Sequence, residues 1–247
     1  MHCQFIGNNL GKSEVGILLP TYREAENISN LLDDIESLHL DASILVIDDS
    51  SPDETEAIVQ EKQRKYTNIL LCVRRKKSGL GTAITDGFKF YLSQPQPPKY
   101  VMTMDSDYSH NPKDIPRLLE RMGEGDCGIV IGSRYVKGGE IEGWPLSRKI
   151  ISKTANTIAK VFLGIKPKDC TSGFRCYSTE FLRTSINNFH STTYEIQIET
   201  IRQASLRHFC VKETPVLFVN RKTGKSKLSW NEIKGYLAYT LKTISRS

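Results

Sequence analysis

The sequence contains no apolar run of about 18 residues, the length that a membrane-spanning helix needs. Its first residues, Met1 to Lys12, also lack the basic segment followed by an apolar segment that marks a secretory signal. No internal repeat or low-complexity tract is present. We therefore expect a chain of 247 residues with neither a membrane span nor a secretory signal, located in the cytosol.

Paired cysteine motifs are absent as well. None of the six cysteines forms a C-x-x-C pair, which excludes the common zinc-site spacings. A disulfide framework is typical of short secreted chains rather than of one this long. We expect reduced thiols, with a pair between Cys170 and Cys176 as the alternative.

Several common catalytic and binding patterns are missing too. The phosphate-cradling pattern G-x-x-x-x-G-K-[ST] does not occur, so P-loop chemistry is excluded. The five histidines show neither metal-ligand spacing nor a persuasive Ser/His/Asp arrangement, and His110 is expected to be a loop residue. The net charge of +6 suits an anionic partner, but no basic patch with interleaved aromatic residues indicates a nucleic acid.

Strand and helix patterns alternate over residues 15–135. Short apolar runs predict buried strands, and apolar residues at helical spacing predict the helices between them. The predicted strands cover residues 15–19, 44–47, 69–73, 100–104 and 127–131, and the predicted helices cover 27–38, 51–66, 80–92 and 115–122. Such alternation predicts an α/β fold with a mostly parallel sheet flanked by helices on both faces.

Residues 136–247 depart from this alternation. Their patterns predict helices over 145–163, 179–188 and 194–207, a strand over 211–219 and a last amphipathic helix over 230–244. We expect these elements to elaborate the same domain. The predicted organisation is a loose lead-in at residues 1–14 and a single domain over residues 15–247.

Acidic residues follow three of the predicted strands. Asp105 and Asp107 come directly after the fourth strand, Asp48 and Asp49 after the second, and Glu24 soon after the first. The carboxyl ends of parallel strands lie at one edge of a sheet, where ligands bind. Two carboxylates at positions i and i+2 can reach one divalent cation, and Mg²⁺ or Mn²⁺ prefers such oxygen ligands. The sequence therefore predicts a metal site suited to the diphosphate of a nucleotide.

These acids also have a purely structural interpretation. Loop acids are commonly just solvated, Asp48 and Asp49 could cap the next helix, and Glu24 would be favourable near the positive end of a helix. Residues 51–54 supply a better cap, with Ser51 as the capping residue and Glu54 completing a capping box. A cap supplied by Ser51 would leave the carboxylates of Asp48 and Asp49 free for a ligand.

Basic residues outside the regular helix faces are candidates for phosphate contacts. Arginine forms bidentate pairs with phosphate, and lysine supplies a compact positive charge. The candidates are Arg134, Arg148, Arg175, Arg221, Lys225 and Lys227. The basic segment 221–227 is either a solvated surface loop or a mobile lid over an anionic substrate.

Several short motifs follow one another in a recognisable order. They are Pro20-Thr21-Tyr22-Arg23-Glu24 with Asn27, Asp48-Asp49-Ser50-Ser51-Pro52-Asp53, Gly79-Leu80-Gly81, Asp105-Ser106-Asp107 and Gly132-Ser133-Arg134-Tyr135. Together they resemble glycosyltransferase family 2, whose members have the GT-A fold. The resemblance extends over about residues 15–245.

Later motifs narrow the resemblance. They are Tyr135-Val136-Lys137-Gly138-Gly139, Trp144-Pro145, Arg148-Lys149-Ile150-Ile151-Ser152, Thr171-Ser172-Gly173-Phe174-Arg175 and Gly224-x-Ser226-Lys227-Leu228. These segments resemble the dolichol-phosphate mannose synthases and their polyprenyl-phosphate relatives. The resemblance implies that residues 15–135 bind the nucleotide and that residues 136–247 face the acceptor and a membrane interface.

The resemblance also implies a role for individual residues of the nucleotide part. Pro20, Tyr22, Glu24 and Asp49 would line the nucleotide pocket. Asp48 would lie beside them, toward the base and the ribose.

The implied metal ligands are Asp105 and Asp107, which would hold Mg²⁺ or Mn²⁺. Ser109 occupies the position where relatives often have a glutamine as third ligand, and a water could replace its weak hydroxyl. The implied phosphate-binding residues are Arg134, Arg148, Arg221 and Lys227.

The implied reaction transfers mannose from GDP-mannose to a dolichyl or polyprenyl monophosphate, with inversion. The acceptor phosphate carries about −1.5 to −2 charges near neutral pH, so it needs no general base. The implied location is the cytoplasmic face of a membrane, the endoplasmic reticulum in a eukaryote. The implied partners there are the membrane surface, by peripheral contact, and a membrane-anchored subunit. The predicted helices over 148–163 and 230–244 mix apolar residues with lysines, which suits a membrane interface. The alternative is that the apolar stripes of both helices pack on the sheet.

Two other functions stay open at this point. The first is a related transferase that uses another nucleotide sugar, such as UDP-glucose, on a lipid phosphate. The second is a non-catalytic nucleotide-binding subunit of a membrane complex. The presence of Asp105, Asp107, Arg134 and Arg221 argues against the second.

Overall fold

The computed structural model describes residues 3–7, 11–125 and 127–221. Within these residues the strands are β1 (Cys3–Ile6), β2 (Val15–Thr21), β3 (Ala42–Asp48), β4 (Ile69–Arg74), β5 (Tyr100–Thr103), β6 (Cys127–Ser133), β7 (Glu140–Glu142), β8 (Arg175–Ser178), β9 (Cys210–Pro215) and β10 (Leu217–Val219). The helices are α1 (Ala25–Glu36), α2 (Thr55–Lys65), α3 (Leu80–Leu92), α4 (Ile115–Gly123), α5 (Leu146–Leu163), α6 (Thr179–Ser185) and α7 (Ile196–Leu206). Short 3₁₀ turns cover Pro112–Asp114 and Ile186–Asn188.

One sheet organises the fold, with its strands in the order β1-β4-β3-β2-β5-β8-β6-β9. Strands β4, β3, β2 and β5 are parallel neighbours, and α1, α2 and α3 connect them along the chain. Strand β8 is antiparallel to both β5 and β6, and β1 is antiparallel to β4 at one edge. Strands β7 and β10 form a separate parallel pair. The predicted α/β fold with a mostly parallel sheet is therefore confirmed.

The central strands are buried on both faces, so their side chains enter two separate cores. On β2, Ile17 and Leu19 pack in the core that contains Leu31 of α1, whereas Leu18 packs in the core that contains Phe88 of α3. All five side chains are fully buried, and each such burial stabilises the fold by about 1.5–3 kcal/mol. Burial on both faces explains why these strands have continuous apolar sequences rather than alternating ones.

The predicted cap of α2 is wrong. The helix begins at Thr55. Glu54, the residue in the N-cap position, makes no side-chain capping hydrogen bond. Ser51 instead donates its hydroxyl to Asp48 at 2.5 Å, and its oxygen accepts from the amide of Arg23. Asp53 accepts from the amide of Thr55 and so stabilises the turn before the helix. A carboxylate three residues upstream thus competes successfully for the serine hydroxyl.

Other departures from the sequence prediction concern short strands. The lead-in contains β1, the 211–219 segment forms β9 and β10 instead of one strand, and β7 and β8 have no predicted counterpart. Pro215 ends β9 because proline has no amide to continue the hydrogen-bond ladder. Strands of three or four residues are too short to give a clear periodicity. The helix predicted over 230–244 lies outside the described residues.

Helix α5 matches its predicted span and is incompletely covered by the protein. Leu146, Ile150, Ile151 and Val161 are exposed, while Ala159 is buried. The apolar stripe of this helix therefore does not simply pack on the sheet. Over the described ranges, no helix is both long and apolar enough to cross a membrane.

Candidate active site

A cleft opens at the carboxyl ends of β2, β3 and β5. These strands are neighbours in the sheet, so the loops that follow them meet at one edge. The cleft is lined by Pro20, Thr21, Tyr22, Glu24, Asp49, Lys77, Gly79, Leu80, Ala83, Asp105, Ser106, Asp107, Thr193, Tyr194 and Arg221. Seven residues singled out from the sequence are thus brought together: Pro20, Tyr22, Glu24, Asp49, Asp105, Asp107 and Arg221.

Backbone strain occurs in the loop after each of these three strands. Arg23 follows β2, Ser50 follows β3 and Tyr108 follows β5, and all three have positive φ angles, of 57°, 53° and 59°. Such conformations cost a non-glycine residue about 1–3 kcal/mol and persist where the surrounding structure imposes them. Three strained positions around one cleft are typical of a functional site.

Asp48 joins two of these loops. Its carboxylate is fully buried and accepts from the Ser51 amide at 2.7 Å, the Ser51 hydroxyl at 2.5 Å and the Thr21 hydroxyl at 3.0 Å. Asp48 is absent from the cleft lining. The expectation that Asp48 is free for a ligand is therefore wrong, because these short polar groups already occupy its carboxylate.

Asp49 does line the cleft, and Arg74 holds its carboxylate in place. The Arg74 guanidinium forms an ion pair with Asp49, and the amides of Ser78 and Gly79 also donate to it, both at 3.3 Å. Burial raises the pKa of the Asp49 carboxyl, even though the charge of Arg74 opposes that shift. Sequence reasoning missed Arg74, although its position at the end of β4 could have indicated it.

The acidic pair after β5, Asp105 and Asp107, lines the cleft. An Arg221 nitrogen is 2.6 Å from one Asp107 oxygen, and the Ser109 amide donates to the other at 3.0 Å. Burial favours a higher pKa for the Asp107 carboxyl, but the Arg221 charge and the hydrogen bonding from Ser109 hold that pKa below its ordinary value. Asp107 is therefore ionised near neutral pH.

Gly173 provides the space that the Asp105 carboxylate occupies. A Cβ atom at Gly173 would lie 3.0 Å from one Asp105 oxygen and 3.3 Å from the other. A side chain at position 173 would therefore require the carboxylate to shift by a few tenths of an ångström. The sequence offered a signal for this contact, because Gly173 belongs to the 171–175 motif.

The residues present fit a divalent cation that is shared with a substrate. Over the parts of the chain that the structure describes, no group of three or more His, Cys, Asp or Glu residues could hold a metal by itself. Mg²⁺ commonly takes one or two carboxylates and completes its shell with water and substrate phosphates. Asp105 and Asp107, both lining one cleft with Arg221, satisfy that requirement. Ser109 is adjacent and almost fully buried.

The predicted phosphate-binding arginines have different surroundings. Arg134 is buried and forms a bidentate pair with Asp169, with both hydrogen bonds at 2.7 Å. Arg148 lies 4.2 Å from the centroid of the Trp144 ring and donates to Asn220 at 3.1 Å. Burial lowers the pKa of Arg148, and the nearby charges of Arg221 and Arg134 lower it further. Arg134 also lies 5.2 Å from the centroid of the Trp144 ring, and Asn220 directly precedes Arg221 in the chain, so the three arginines form a cluster next to the cleft.

Arg175 does not contact this cleft. It is fully buried and donates to the carbonyls of Cys170, Ser172 and Gln197 and to the Thr200 hydroxyl. Its expected phosphate contact is wrong, because these protein acceptors surround the guanidinium. Lys225 and Lys227 lie outside the described residues.

His110 lies in the loop between β5 and the 3₁₀ turn of Pro112–Asp114, as predicted. Its ring is completely buried between Phe174 and Phe218, with centroid distances of 5.1 and 5.0 Å. Burial lowers its pKa to about 4, so the ring stays neutral at physiological pH. All six cysteines are free thiols.

Sequence reasoning also missed Lys77, Thr193 and Tyr194, which line the cleft. The ammonium of Lys77 is 4.1 Å from the centroid of the Tyr22 ring. Thr193 and Tyr194 precede α7 and reach the cleft only through the tertiary fold. No local pattern marks them in the sequence.

Comparison with known proteins gives a family match. Residues 16–185 match the model of glycosyl transferase family 2. The chain is 36% identical over 220 residues to a polyprenol monophosphomannose synthase of Mycolicibacterium smegmatis. The matched region covers 88% of this chain and 82% of that protein.

Two solved structures resemble the fold closely. Glucosyl-3-phosphoglycerate synthase of Mycobacterium tuberculosis, in complex with Mn²⁺, UDP and glucosyl-3-phosphoglycerate, has a TM-score of 0.65 at 18% identity and covers 95% of this chain and 79% of that one. A mannosyltransferase of Pyrobaculum calidifontis, in complex with GDP-Man and Mn²⁺, has a TM-score of 0.64 at 14% identity. The match covers 94% of this chain and 65% of the mannosyltransferase chain. At such low identity these likenesses support the GT-A fold alone.

Proposed function

Because this chain belongs to glycosyl transferase family 2, and is therefore a glycosyltransferase, we propose that it transfers mannose to a polyprenyl-type lipid monophosphate, with GDP-mannose as the donor. The observation that carries the proposal is the 36% identity over 88% of the chain to a polyprenol monophosphomannose synthase. The cleft agrees with it chemically, because a carboxylate pair and an arginine cluster lie side by side. A lipid-phosphate glycosyltransferase needs both, since donor and acceptor are each anionic.

The nucleotide would occupy the part of the cleft that follows β2 and β3. Tyr22 offers an aromatic ring for the base, and the ammonium of Lys77 lies over that ring. Glu24 and Asp49 offer carboxylates that accept hydrogen bonds from the N–H groups of a base or the hydroxyls of a ribose. Arg74 keeps the Asp49 carboxylate in one orientation.

Asp105 and Asp107 would hold Mg²⁺ or Mn²⁺ beside the diphosphate, with Ser109 close by. When bound, the cation would neutralise negative charge that develops on the departing nucleoside diphosphate. Arg221 supplies a positive charge at the same place, since it already pairs with Asp107. An incoming phosphate would compete with Asp107 for that guanidinium.

The acceptor phosphate would bind at the cluster of Arg134, Arg148 and Arg221. Arg221 and Arg148 are the better candidates for direct contact, because Arg221 lines the cleft, whereas Arg134 is buried in a bidentate pair with Asp169. The phosphate is dianionic near neutral pH, so its oxygen can attack the anomeric carbon without a general base. Direct displacement of the diphosphate inverts the configuration at that carbon.

The lipid part of the acceptor requires contact with a membrane. Exposed apolar residues of α5 and the lysines between them would lie in the interface, on the cytoplasmic face of the membrane. This makes the chain a peripheral membrane protein. A membrane-anchored subunit is a further predicted partner.

The decisive assay measures sugar transfer to a polyprenyl phosphate by the purified chain with Mn²⁺, with EDTA, and with GDP-mannose or UDP-glucose as donor. We expect transfer from GDP-mannose that EDTA abolishes. Asp105→Ala should reduce the rate by at least about 100-fold, because charge stabilisation at the leaving group is lost. Asp41→Ala serves as the matched control, since Asp41 is an exposed acid before β3, at the opposite end of that strand from the cleft.

The outcomes separate the alternatives. Transfer from UDP-glucose but not from GDP-mannose would overturn the proposed donor. Metal-independent GDP binding without any transfer would contradict the whole proposal and favour a non-catalytic subunit. Normal turnover by the Asp105→Ala protein would refute the metal site.

A further inference from the structure

The loop of residues 190–195, before α7, is fixed by two buried carboxylates. Glu195 accepts from the amides of Thr192 and Thr193 at 3.0 and 3.1 Å. Glu199 accepts from the Ser191 amide at 2.9 Å and from the amide of His190. Both glutamates are more than nine-tenths buried. The loop backbone is therefore held rigidly.

The same loop packs closely on the N-terminal end of α3. The amide of Gly81 donates to the Thr192 carbonyl at 3.0 Å. A Cβ atom at Gly79 would lie only 2.3 Å from the Thr192 carbonyl oxygen, and one at Gly81 only 2.5 Å from the Ser191 carbonyl oxygen. Only glycine permits these approaches, so the 190–195 loop forms a wall that is joined to the nucleotide side of the cleft.

Two residues of this wall face the cleft, Thr193 and Tyr194. The Thr193 hydroxyl donates to Glu195, so it serves the loop itself. Tyr194 is half-buried and lines the same cleft as Asp105, Asp107 and Arg221. Tyr194 therefore shares one cleft with the proposed metal ligands and with Arg221.

We propose that Tyr194 contacts the sugar of the donor and contributes to the choice of that sugar. This inference rests on the proposed function, since it assumes a nucleotide-sugar donor in the cleft. The sugar must lie between the diphosphate, near Asp105 and Asp107, and the attacking phosphate at the arginine cluster. Tyr194 lines that space from the 190–195 wall, in one cleft with Asp105, Asp107 and Arg221.

The chemistry of tyrosine suits this position. Its hydroxyl both donates and accepts hydrogen bonds, as sugar hydroxyls do. Its ring presents an apolar face to the C–H groups of a pyranose. A contact on a rigid wall discriminates between sugar epimers better than one on a mobile loop, because the protein cannot adjust to the wrong hydroxyl.

The test compares the binding of GDP and GDP-mannose, each with Mn²⁺, to the wild-type, Tyr194→Phe and Tyr194→Ala proteins by isothermal titration calorimetry. For Tyr194→Phe we expect the Kd of GDP-mannose to rise about 3- to 10-fold, the effect of one lost neutral hydrogen bond. The alanine variant should lose more. The Kd of GDP should change less than about 2-fold in both, since GDP has no sugar at this position.

Tyr66→Phe is the matched control, because Tyr66 donates its hydroxyl to Asp33 on the surface between α1 and α2. It should leave both dissociation constants unchanged. Competition between GDP-mannose and GDP-glucose in the transfer assay gives a second readout, and Tyr194→Phe should reduce the preference of the wild-type protein.

The failure of this inference is distinguishable from failure of the proposed function. If the wild-type protein binds GDP-mannose and the Tyr194 variants lose GDP and GDP-mannose affinity equally, or lose neither, Tyr194 does not contact the sugar. If the wild-type protein binds UDP-glucose instead, the donor proposal fails, and the same comparison with UDP and UDP-glucose decides the role of Tyr194.

Discussion

Two buried arginines fix the turn of residues 169–175, and each does so in a different way. Arg134 pairs with Asp169, whose carboxylate also accepts from the Ser172 amide at 3.1 Å. Arg175 donates mostly to backbone carbonyls, including those of Cys170 and Ser172. Gly173 lies within this turn and borders the Asp105 carboxylate. The position of a proposed metal ligand therefore depends on buried charges that are not part of the cleft.

The Asp169→Asn substitution tests this dependence. It leaves the buried guanidinium of Arg134 without its counter-charge, and we expect the free energy of unfolding to fall by about 3–5 kcal/mol at pH 7. Arg134 lowers the pKa of the Asp169 carboxyl below 3.8, so the pair stabilises the fold fully above that pH. This stabilisation is lost as the pH falls through the lowered pKa of Asp169. The difference in the free energy of unfolding between the wild-type and Asp169→Asn proteins should therefore narrow only below about pH 4.

Urea unfolding at several pH values measures both effects. The control is Glu124→Gln, which breaks the exposed pair between Arg121 and Glu124 and should cost no more than about 1 kcal/mol. Equal losses for the two substitutions would contradict the structural importance of the buried pair. A difference that already narrows between pH 7 and pH 5 would contradict the lowered pKa.

At the scale of secondary structure, the long elements were predictable from the sequence and the short ones were not. Helix α3 has the bounds given by its apolar periodicity, and β2 to β6 lie where apolar runs indicated them. Strand β8 has four residues, and it forms because β5 and β6 bond it from both sides. Such tertiary pairing leaves no periodic signal in a short segment.

The same limit applies to the candidate site. Acids at strand ends, such as Asp105 and Asp107, are identifiable from the sequence because the end of a strand fixes their place in the fold. Tyr194 and Thr193 reach the cleft only through the tertiary fold, from the loop before α7. The burial of Asp48 was also hidden, since it depends on hydroxyl groups of two different loops.

Helix α5 allows a test of membrane contact. Ile150 and Val161 are exposed, and replacing both by glutamate places negative charge where an apolar surface would meet anionic lipid. We expect the fraction of protein that floats with anionic liposomes to fall by at least about 10-fold, since each buried apolar side chain contributes about 1.5–3 kcal/mol. Binding of GDP should not change.

Leu206→Glu on α7 is the matched control for this experiment. Leu206 is as exposed as Ile150 but belongs to a different helix. It should leave flotation unchanged. Equal loss in the control would mean that general acidity, rather than α5, determines lipid binding, and full flotation of the α5 double variant would exclude this helix from the interface.

On the scale of the whole molecule, the candidate site takes residues from two parts of the chain, one before and one after residue 135. The parallel half of the sheet supplies Tyr22, Asp49 and Asp105 from the loops after β2, β3 and β5. Arg148 and Tyr194 come from the part of the chain after residue 135. A ligand that contacts both parts should stabilise the folded chain as a unit, because it binds the native state and not the unfolded chain.

Thermal unfolding with GDP and Mn²⁺ tests this coupling. Two carboxylates alone form an incomplete metal shell, so Mn²⁺ without nucleotide should shift the midpoint little. GDP with Mn²⁺ at about 100 times the Kd contributes about 2.7 kcal/mol, which corresponds to a shift of roughly 5–10 °C in a chain of this size. Asp105→Ala should retain only the shift that GDP gives without metal. A full shift from Mn²⁺ alone, or an unchanged shift in the Asp105→Ala protein, would mean that the cation binds elsewhere and that the diphosphate does not complete its shell.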